Sequence, residues 1–195
     1  MTEQITVETN ELSQKREKDI KKHFMTEMQI YLLKKELFAL SQMRVIYKYM
    51  QFEIHLKKLI SVAYDETEKS FYNWEKMVSF FKSKNIEIKK LNNYSDVKDI
   101  LELNNSIKHS EDLINDRTRN IVEFKNKESV NSRILNTFYE RTMDSPKELI
   151  RDIAKEIDKD LFEFDETRLD SIIKDFEMRM DSNTKEKFIS RLKNN

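Results

Sequence analysis

A polar cluster, Asn104–Ser106, lies four residues before His109 in a segment that otherwise has the pattern of an amphipathic helix. In a helix Asn105 and His109 share one face, whereas Asn104 falls among the apolar residues of the opposite face. A side-chain amide on an apolar face needs a hydrogen-bond partner, or it costs roughly 1–3 kcal/mol. Asn is also a poor residue for the middle of a helix. Because local rules are broken beside a histidine, a functional site is expected in this segment, with Asn105 and His109 as its candidate residues.

A simpler interpretation stays open for this segment: Asn104–Ser106 end the helix, and His109 is an exposed residue without a role. The other two histidines, His23 and His55, have no histidine at helical spacing. With no HExxH motif and no histidine tract, neither a metal nor any other cofactor is expected. His55 is interpreted as a partly buried structural residue beside an apolar stripe.

Candidate phosphate-binding cations flank the cluster, although 36 basic and 36 acidic residues leave no net charge. The chain therefore lacks the basic excess that is typical of nucleic-acid-binding proteins. Residues 76–100 are locally basic, but mixed charge on a helix is usually just a solvated face, and that alternative stays open. The candidate RNA-binding residues are Lys84, Lys89, Lys90, Lys108, Arg117 and Arg119.

The composition excludes several classes of enzyme, because the chain has no Gly and no Cys. Without glycine there is no phosphate-binding P-loop, no GxGxxG turn and no GxSxG nucleophile elbow. Without cysteine there is no disulfide framework, thiolate zinc site or cysteine nucleophile. These absences favour a compact helical protein.

Apolar periodicity predicts an all-α fold, an antiparallel helical bundle with a C-terminal helical extension. The predicted organisation is a disordered N-terminus at 1–10, a bundle over 11–144, and an acidic helical unit over 145–195. A bend or a separate helix is expected between 34 and 42, because two apolar stripes there look out of phase. The next helix is predicted to start at Asp65–Thr67, and the third at Ser95 or Asp96. Ser145-Pro146-Lys147-Glu148 has the pattern of a capping box that opens the C-terminal unit.

The order of these features resembles the HEPN superfamily of helical domains over roughly residues 40–125. The resemblance lies in an aromatic-rich helix from Val45 to Tyr64, a Trp-bearing helix from Phe71 to Phe81, and the segment Leu103–His109. Many members of that superfamily are metal-independent RNases of toxin–antitoxin, anti-phage and CRISPR systems. Their motif is an Arg followed by a His four to six residues later, and two motifs typically meet across a homodimer. The resemblance thus implies RNA as a ligand, with Asn105 and His109 in the motif.

The sequence departs from that motif at the arginine, since positions 102–104 are Glu, Leu and Asn. In such an RNase the imidazole exchanges a proton with the ribose 2′-OH, and the arginine neutralises the scissile phosphate. Asn supplies no charge, Lys108 points about 100° away from His109 on a helix, and Arg117 and Arg119 lie further along. Either a cation enters the site through folding or dimerisation, or the domain binds without cleaving.

Two functions follow as hypotheses. The first is a HEPN-like protein of a prokaryotic defence or toxin–antitoxin system. Such a protein would cleave RNA, or it would bind RNA with a degenerate catalytic site. The second is a non-enzymatic helical interaction or assembly protein of a low-GC bacterium or its phage. Both predict a homo-oligomer or a helical protein partner. No apolar run reaches the ~20 residues that cross a bilayer, and the first residues lack a signal pattern, so no membrane association and a cytoplasmic location are expected.

Overall fold

The computed structural model describes the backbone of residues 2–110 and 112–193, and the side chains of those residues from 15 onward. This part of the chain is helical without any strand, which confirms the predicted all-α fold. The α-helices are α1 (Thr2–Tyr64), α2 (Trp74–Ser83), α3 (Tyr94–His109), α4 (Ser132–Thr142), α5 (Ser145–Phe162), α6 (Glu166–Arg179) and α7 (Ser182–Lys193). Two single 3₁₀ turns, Glu68–Ser70 and Ile88–Lys90, lie in the connections. Within the described ranges, none of the helices combines the length and the apolarity that crossing a membrane requires.

Helix α1 is continuous, so the predicted bend between 34 and 42 is wrong. Tyr31, Phe38 and Val45 are seven residues apart, and they place the two apolar stripes on the same face of one helix. Nothing in the interval breaks a helix, because it has neither Pro nor Gly. The bounds of α1 also include residues 2–10, which were expected to be disordered, whereas Met1 lies outside the described residues.

The five helices α1, α2, α3, α4 and α5 share one apolar core, and the connection between α3 and α4 also contributes to it. The part of α1 from Val45 onward buries its stripe. Residues 15–40 of the same helix form an arm that is exposed apart from the half-buried Phe38. Helix α5 packs against α1 and α3, although the sequence analysis placed it in a separate unit from 145. Its inward residues Leu149 and Ile153 are fully buried. Helices α6 and α7 contribute no buried residue.

Asn and Asp occupy the turn positions that glycine would usually take. Asp65, Asn85, Asn93 and Asn126 all have φ between 55° and 62°, in the left-handed region. Asp65 therefore ends α1 rather than starting α2, and α2 begins later, where the Asn73 side chain accepts from the Lys76 N–H at 2.9 Å. Likewise the cap position of α3 is Asn93, two residues before Ser95 and three before Asp96, where the sequence predicted the helix to begin.

Arg141 on α4 ties three elements together through carboxylates. Its guanidinium donates to Glu123 in the α3–α4 connection at 2.6 and 3.1 Å, and to Asp96 and Asp99 on α3 at 2.6 and 3.1 Å. The Ser145 hydroxyl donates to Asp96 at 2.7 Å. Ser145 thus joins this network instead of forming the predicted capping box, and the cap position of α5 is Asp144. Burial raises the pKa of Asp99, while Arg141 opposes that shift.

Candidate functional site

Helix α3 runs through the polar cluster to His109, so Asn104–Ser106 do not end it. Asn104 and Ser106 are each 1% exposed, whereas His109 is exposed at the C-terminal end of the helix. The flanking residues Ile100 and Leu103 are buried and hold this helix against α1. Packing of the apolar face therefore carries helical structure across residues that disfavour it.

A groove of about 470 Å³ opens beside this end of α3. Its walls come from α1, from the start of α2 and the residues before it, from α3, and from the α3–α4 connection. Asn105, Lys108, His109 and Arg117 all line it. The structure thus brings together both predicted catalytic residues and two of the six predicted RNA-binding cations, Lys108 and Arg117.

Asn115 holds the segment that carries Arg117 against α3. Its side-chain amide donates to the Ser106 hydroxyl at 3.0 Å and to the Asp112 carbonyl at 3.1 Å. Its side-chain oxygen accepts from the Arg117 backbone N–H at 3.0 Å. The Thr118 hydroxyl closes the turn by accepting a hydrogen bond from the Asn115 backbone N–H at 3.1 Å. Because Ser106 lies one turn before His109, these hydrogen bonds set the position of Arg117 relative to the imidazole.

The Asn104 side chain lies at the groove with an unused acceptor. Its amide nitrogen contacts the Asn105 side-chain oxygen at 3.4 Å, but its own oxygen is buried and has no hydrogen-bond partner. Leaving such a group unpaired costs about 1–3 kcal/mol.

Replacing Asn104 by Leu is expected to stabilise the free protein, because it removes the unpaired oxygen and keeps a side chain of similar size. We expect the free energy of unfolding in urea to rise by about 1–2 kcal/mol, although most core substitutions are destabilising. An unfolding free energy equal to or below that of the wild-type protein would show that the oxygen is satisfied in the folded state.

Aromatic and acidic side chains complete the groove. Tyr49 and Trp74 form an apolar wall and are nearly buried, and Glu53, Glu75 and Glu102 line the remainder. Burial raises the pKa of Tyr49, and the nearby carboxylates of Glu53 and Glu75 raise it further. The Tyr49 hydroxyl therefore stays protonated at neutral pH. With three carboxylates against Lys108 and Arg117, the groove is a mixed polar site rather than a basic channel.

The other predicted cations are not among the residues that line the groove. Lys84 stacks over the Tyr64 ring at 4.7 Å beside the α5–α6 connection, and Lys90 pairs with Glu87 at 2.7 Å. Arg119 pairs with Asp116 at 2.5 Å. Lys89 lies in an adjoining hollow that shares Trp74 with the groove. Most of these cations thus have local partners, in line with the solvated-face alternative.

The remaining histidines lie elsewhere. His23 is exposed on the arm, and His55 is exposed rather than partly buried, because it lies on the outer side of the apolar stripe. Across the described ranges no group of three or more His, Cys, Asp or Glu residues is arranged to hold a metal ion. The sequence analysis missed Tyr49 and Trp74 as groove residues because their spacing indicates only core, and it gave no signal for Asn115.

No protein-family model, curated protein or solved structure matches the chain.

Proposed function

We propose that the protein binds single-stranded RNA in the groove at the end of α3. The observation that carries this proposal is the convergence of Arg117 with Asn105, Lys108 and His109 around one cavity. A guanidinium and an ammonium there match a phosphate, and an imidazole beside an amide matches a ribose hydroxyl. Asn105, Lys108 and His109 come from α3, whereas Arg117 comes from the α3–α4 connection. The packing of α3 against the core does not by itself require Arg117 to lie beside them.

The rest of the groove suits a base rather than a second phosphate. Tyr49 and Trp74 offer an apolar wall, and the Glu102 carboxylate accepts hydrogen bonds from base N–H groups. A cavity of about 470 Å³ is within the range of small-ligand sites and far too small for a duplex. The proposed ligand is therefore one or two nucleotides of an unpaired strand.

The same groups support a metal-independent cleavage reaction. In it the His109 imidazole takes the proton of the ribose 2′-OH and the 2′-oxygen forms a bond to phosphorus. The bond from phosphorus to the 5′-oxygen breaks as that oxygen takes a proton from solvent, and the imidazolium returns its proton to solvent. Arg117 would neutralise the charge that grows on the phosphate, in place of the arginine missing from positions 102–104. This cleavage reaction is the one we propose if the protein is a HEPN-like member of a prokaryotic defence or toxin–antitoxin system. Glu53, Glu75 and Glu102 oppose phosphate binding and favour weak cleavage or binding alone.

A second candidate function is that of a helical interaction protein without an active site. The observation that favours it is the arm of α1, where ten large apolar side chains of residues 20–40 are each at least 39% exposed. Monomeric proteins rarely leave so much apolar surface uncovered. The two functions are compatible, because the arm and the groove lie on different parts of α1.

The test of RNA binding is fluorescence anisotropy with a labelled 12-nucleotide RNA, across a series of salt concentrations and without divalent ions. For two phosphate contacts on a single strand we expect log K to fall with log salt at a slope of about −1.4, and Arg117→Ala to reduce that slope by about 0.7. His109→Ala is expected to weaken binding at every salt concentration and to abolish any cleavage seen on a gel. Neither change should lower the melting temperature by more than about 1–2 °C, because both side chains are exposed.

The matched control is Lys125→Ala, which removes an exposed cation from the same connection without lining the groove. It should bind as the wild-type protein does. Equal affinity of the wild-type, Arg117→Ala and His109→Ala proteins, or no binding by the wild-type protein at low salt, would contradict the proposal.

A further inference from the structure

A second apolar stripe runs along the outer face of α1, opposite the stripe that packs into the core. On the arm it consists of Ile30, Leu33, Leu37 and Leu40. Alongside the core it continues through Met43, Tyr47, Met50 and Ile54. Successive members are three or four residues apart, and every one is between 39% and 63% exposed. Within each half of the stripe the steps alternate as they do in a coiled coil, and two successive three-residue steps, from Leu37 to Leu40 and from Leu40 to Met43, interrupt the alternation at the centre.

We propose that this outer stripe is the interface of a homodimer in which the two copies of α1 pack antiparallel, with the dimer axis near residue 42. The proposal is independent of RNA binding, since the stripe shares no residue with the groove.

The stripe is complementary to itself in the antiparallel orientation about that point. Ile30 then meets the partner's Ile54, and Leu33 meets the partner's Met50. Leu37 meets the partner's Tyr47, and Leu40 meets the partner's Met43. All eight apolar residues are thus paired by one two-fold axis, as an isologous interface requires.

The charges beside the stripe favour the same orientation. Antiparallel pairing brings Glu27 opposite the partner's Lys58, and both side chains are exposed in the chain itself. It also brings Lys34 opposite the partner's Gln51. Parallel pairing in register would leave Glu27 and the partner's Lys58 separated by 31 residues along the axis, so this ion pair would not form.

The length of the stripe is sufficient for a stable dimer. From Ile30 to Ile54 it extends roughly 35 Å at 1.5 Å per residue. Two helices in contact over that length bury on the order of 800 Å² per copy, the area that specific dimers need. The arm of each copy would then lie along the core-packed part of the partner's α1.

Disulfide trapping tests the orientation directly, because the protein has no cysteine of its own. Single-cysteine variants Ile30→Cys and Ile54→Cys are expected to stay uncrosslinked when each is oxidised alone. After the two proteins are mixed and oxidised, a disulfide-linked dimer joining position 30 to position 54 is expected. Val122→Cys, with an exposed site in the α3–α4 connection, is the control and should not crosslink in either experiment.

Light scattering tests the interface itself. The wild-type protein should have twice the 23.7 kDa mass of one chain at tens of micromolar. Leu40→Asp places two carboxylates near the axis and should give the mass of one chain, with unchanged helix content. Phe24→Asp is the matched control, because Phe24 is equally exposed on the same helix but lies on the opposite stripe, and it should stay dimeric.

Several results would overturn the proposal. A crosslink of position 30 to position 30 would show parallel pairing, and a dimer that persists in Leu40→Asp would place the interface elsewhere. A monomeric wild-type protein would rule out the dimer. If that monomer bound vesicles of phosphatidylglycerol and Leu40→Asp did not, the stripe would be assigned to a lipid surface instead.

Discussion

Replacing Arg141 by Leu is expected to lower the free energy of unfolding by about 2–4 kcal/mol. The substitution leaves Asp96, Asp99 and Glu123 close together without their shared cation, and Glu123 is only 8% exposed. Uncompensated carboxylates in such positions destabilise a fold more than the intact ion pairs stabilise it. Urea unfolding followed by circular dichroism measures this loss. Arg133→Leu, an exposed arginine on the same helix, is the matched control and should change stability by less than about 0.5 kcal/mol.

The loss in Arg141→Leu should depend on pH with a defined sign. Burial already raises the pKa of Asp99, and Arg141 opposes that rise, so removing Arg141 moves the pKa further up. A carboxyl whose pKa is raised in the folded state stabilises the fold when it is protonated, and that contribution is lost as pH rises through the raised pKa. The difference from wild type should therefore shrink between about pH 7 and pH 4. A difference that stays constant or grows toward acid would contradict this account of the network.

Replacing Asn115 by Ala is expected to impair RNA binding without removing any group that touches the ligand. The change deletes the hydrogen bonds to Ser106 and Asp112 and the one from the Arg117 N–H, so Arg117 is no longer held beside α3. We expect RNA affinity to fall as far as in Arg117→Ala, together with a stability loss of about 1–3 kcal/mol from the unpaired polar groups.

The control for Asn115→Ala is Asn120→Ala, which changes an exposed asparagine of the same connection. It should leave both stability and affinity unchanged. Salt dependence separates positioning from a purely structural role, because misplacing Arg117 reduces the slope whereas a general loss of folded protein does not. Wild-type affinity in a folded Asn115→Ala protein would show that Arg117 does not need this support.

The helical class and most of the core could be predicted from the sequence, because they depend on local periodicity and on the missing glycine. Boundaries were less predictable, since the ends of α1 and α2 depend on which of several polar residues adopts the left-handed conformation. Asp65 looked like the start of a helix and instead ends one. The continuity of α1 was not predicted, because Phe24, Met28 and Leu32 on the arm look out of phase with the stripe that starts at Val45. Tyr31, Phe38 and Val45 nevertheless keep a seven-residue spacing.

The candidate site was only half predictable. Asn105 and His109 share a helix, so their spacing alone places them together. Arg117 approaches them through a connection whose shape depends on the contact between Asn115 and Ser106, and no sequence pattern reveals that contact. Lys84 and Lys90 were predicted to bind RNA because their segment is locally basic. In the structure Lys84 lies over the Tyr64 ring, and Lys90 pairs with Glu87.

The central claim, that RNA enters the groove at the end of α3, is tested most directly by the fluorescence of Trp74. This residue is the only tryptophan in the chain, and it lines the groove beside Tyr49. Titration with unlabelled single-stranded RNA at low salt should change its emission in a saturable way, with a midpoint equal to that from anisotropy. The change should be weakened in Arg117→Ala and retained in Lys125→Ala. RNA that binds by anisotropy and leaves the emission of Trp74 unaltered would place the binding surface elsewhere and contradict the account.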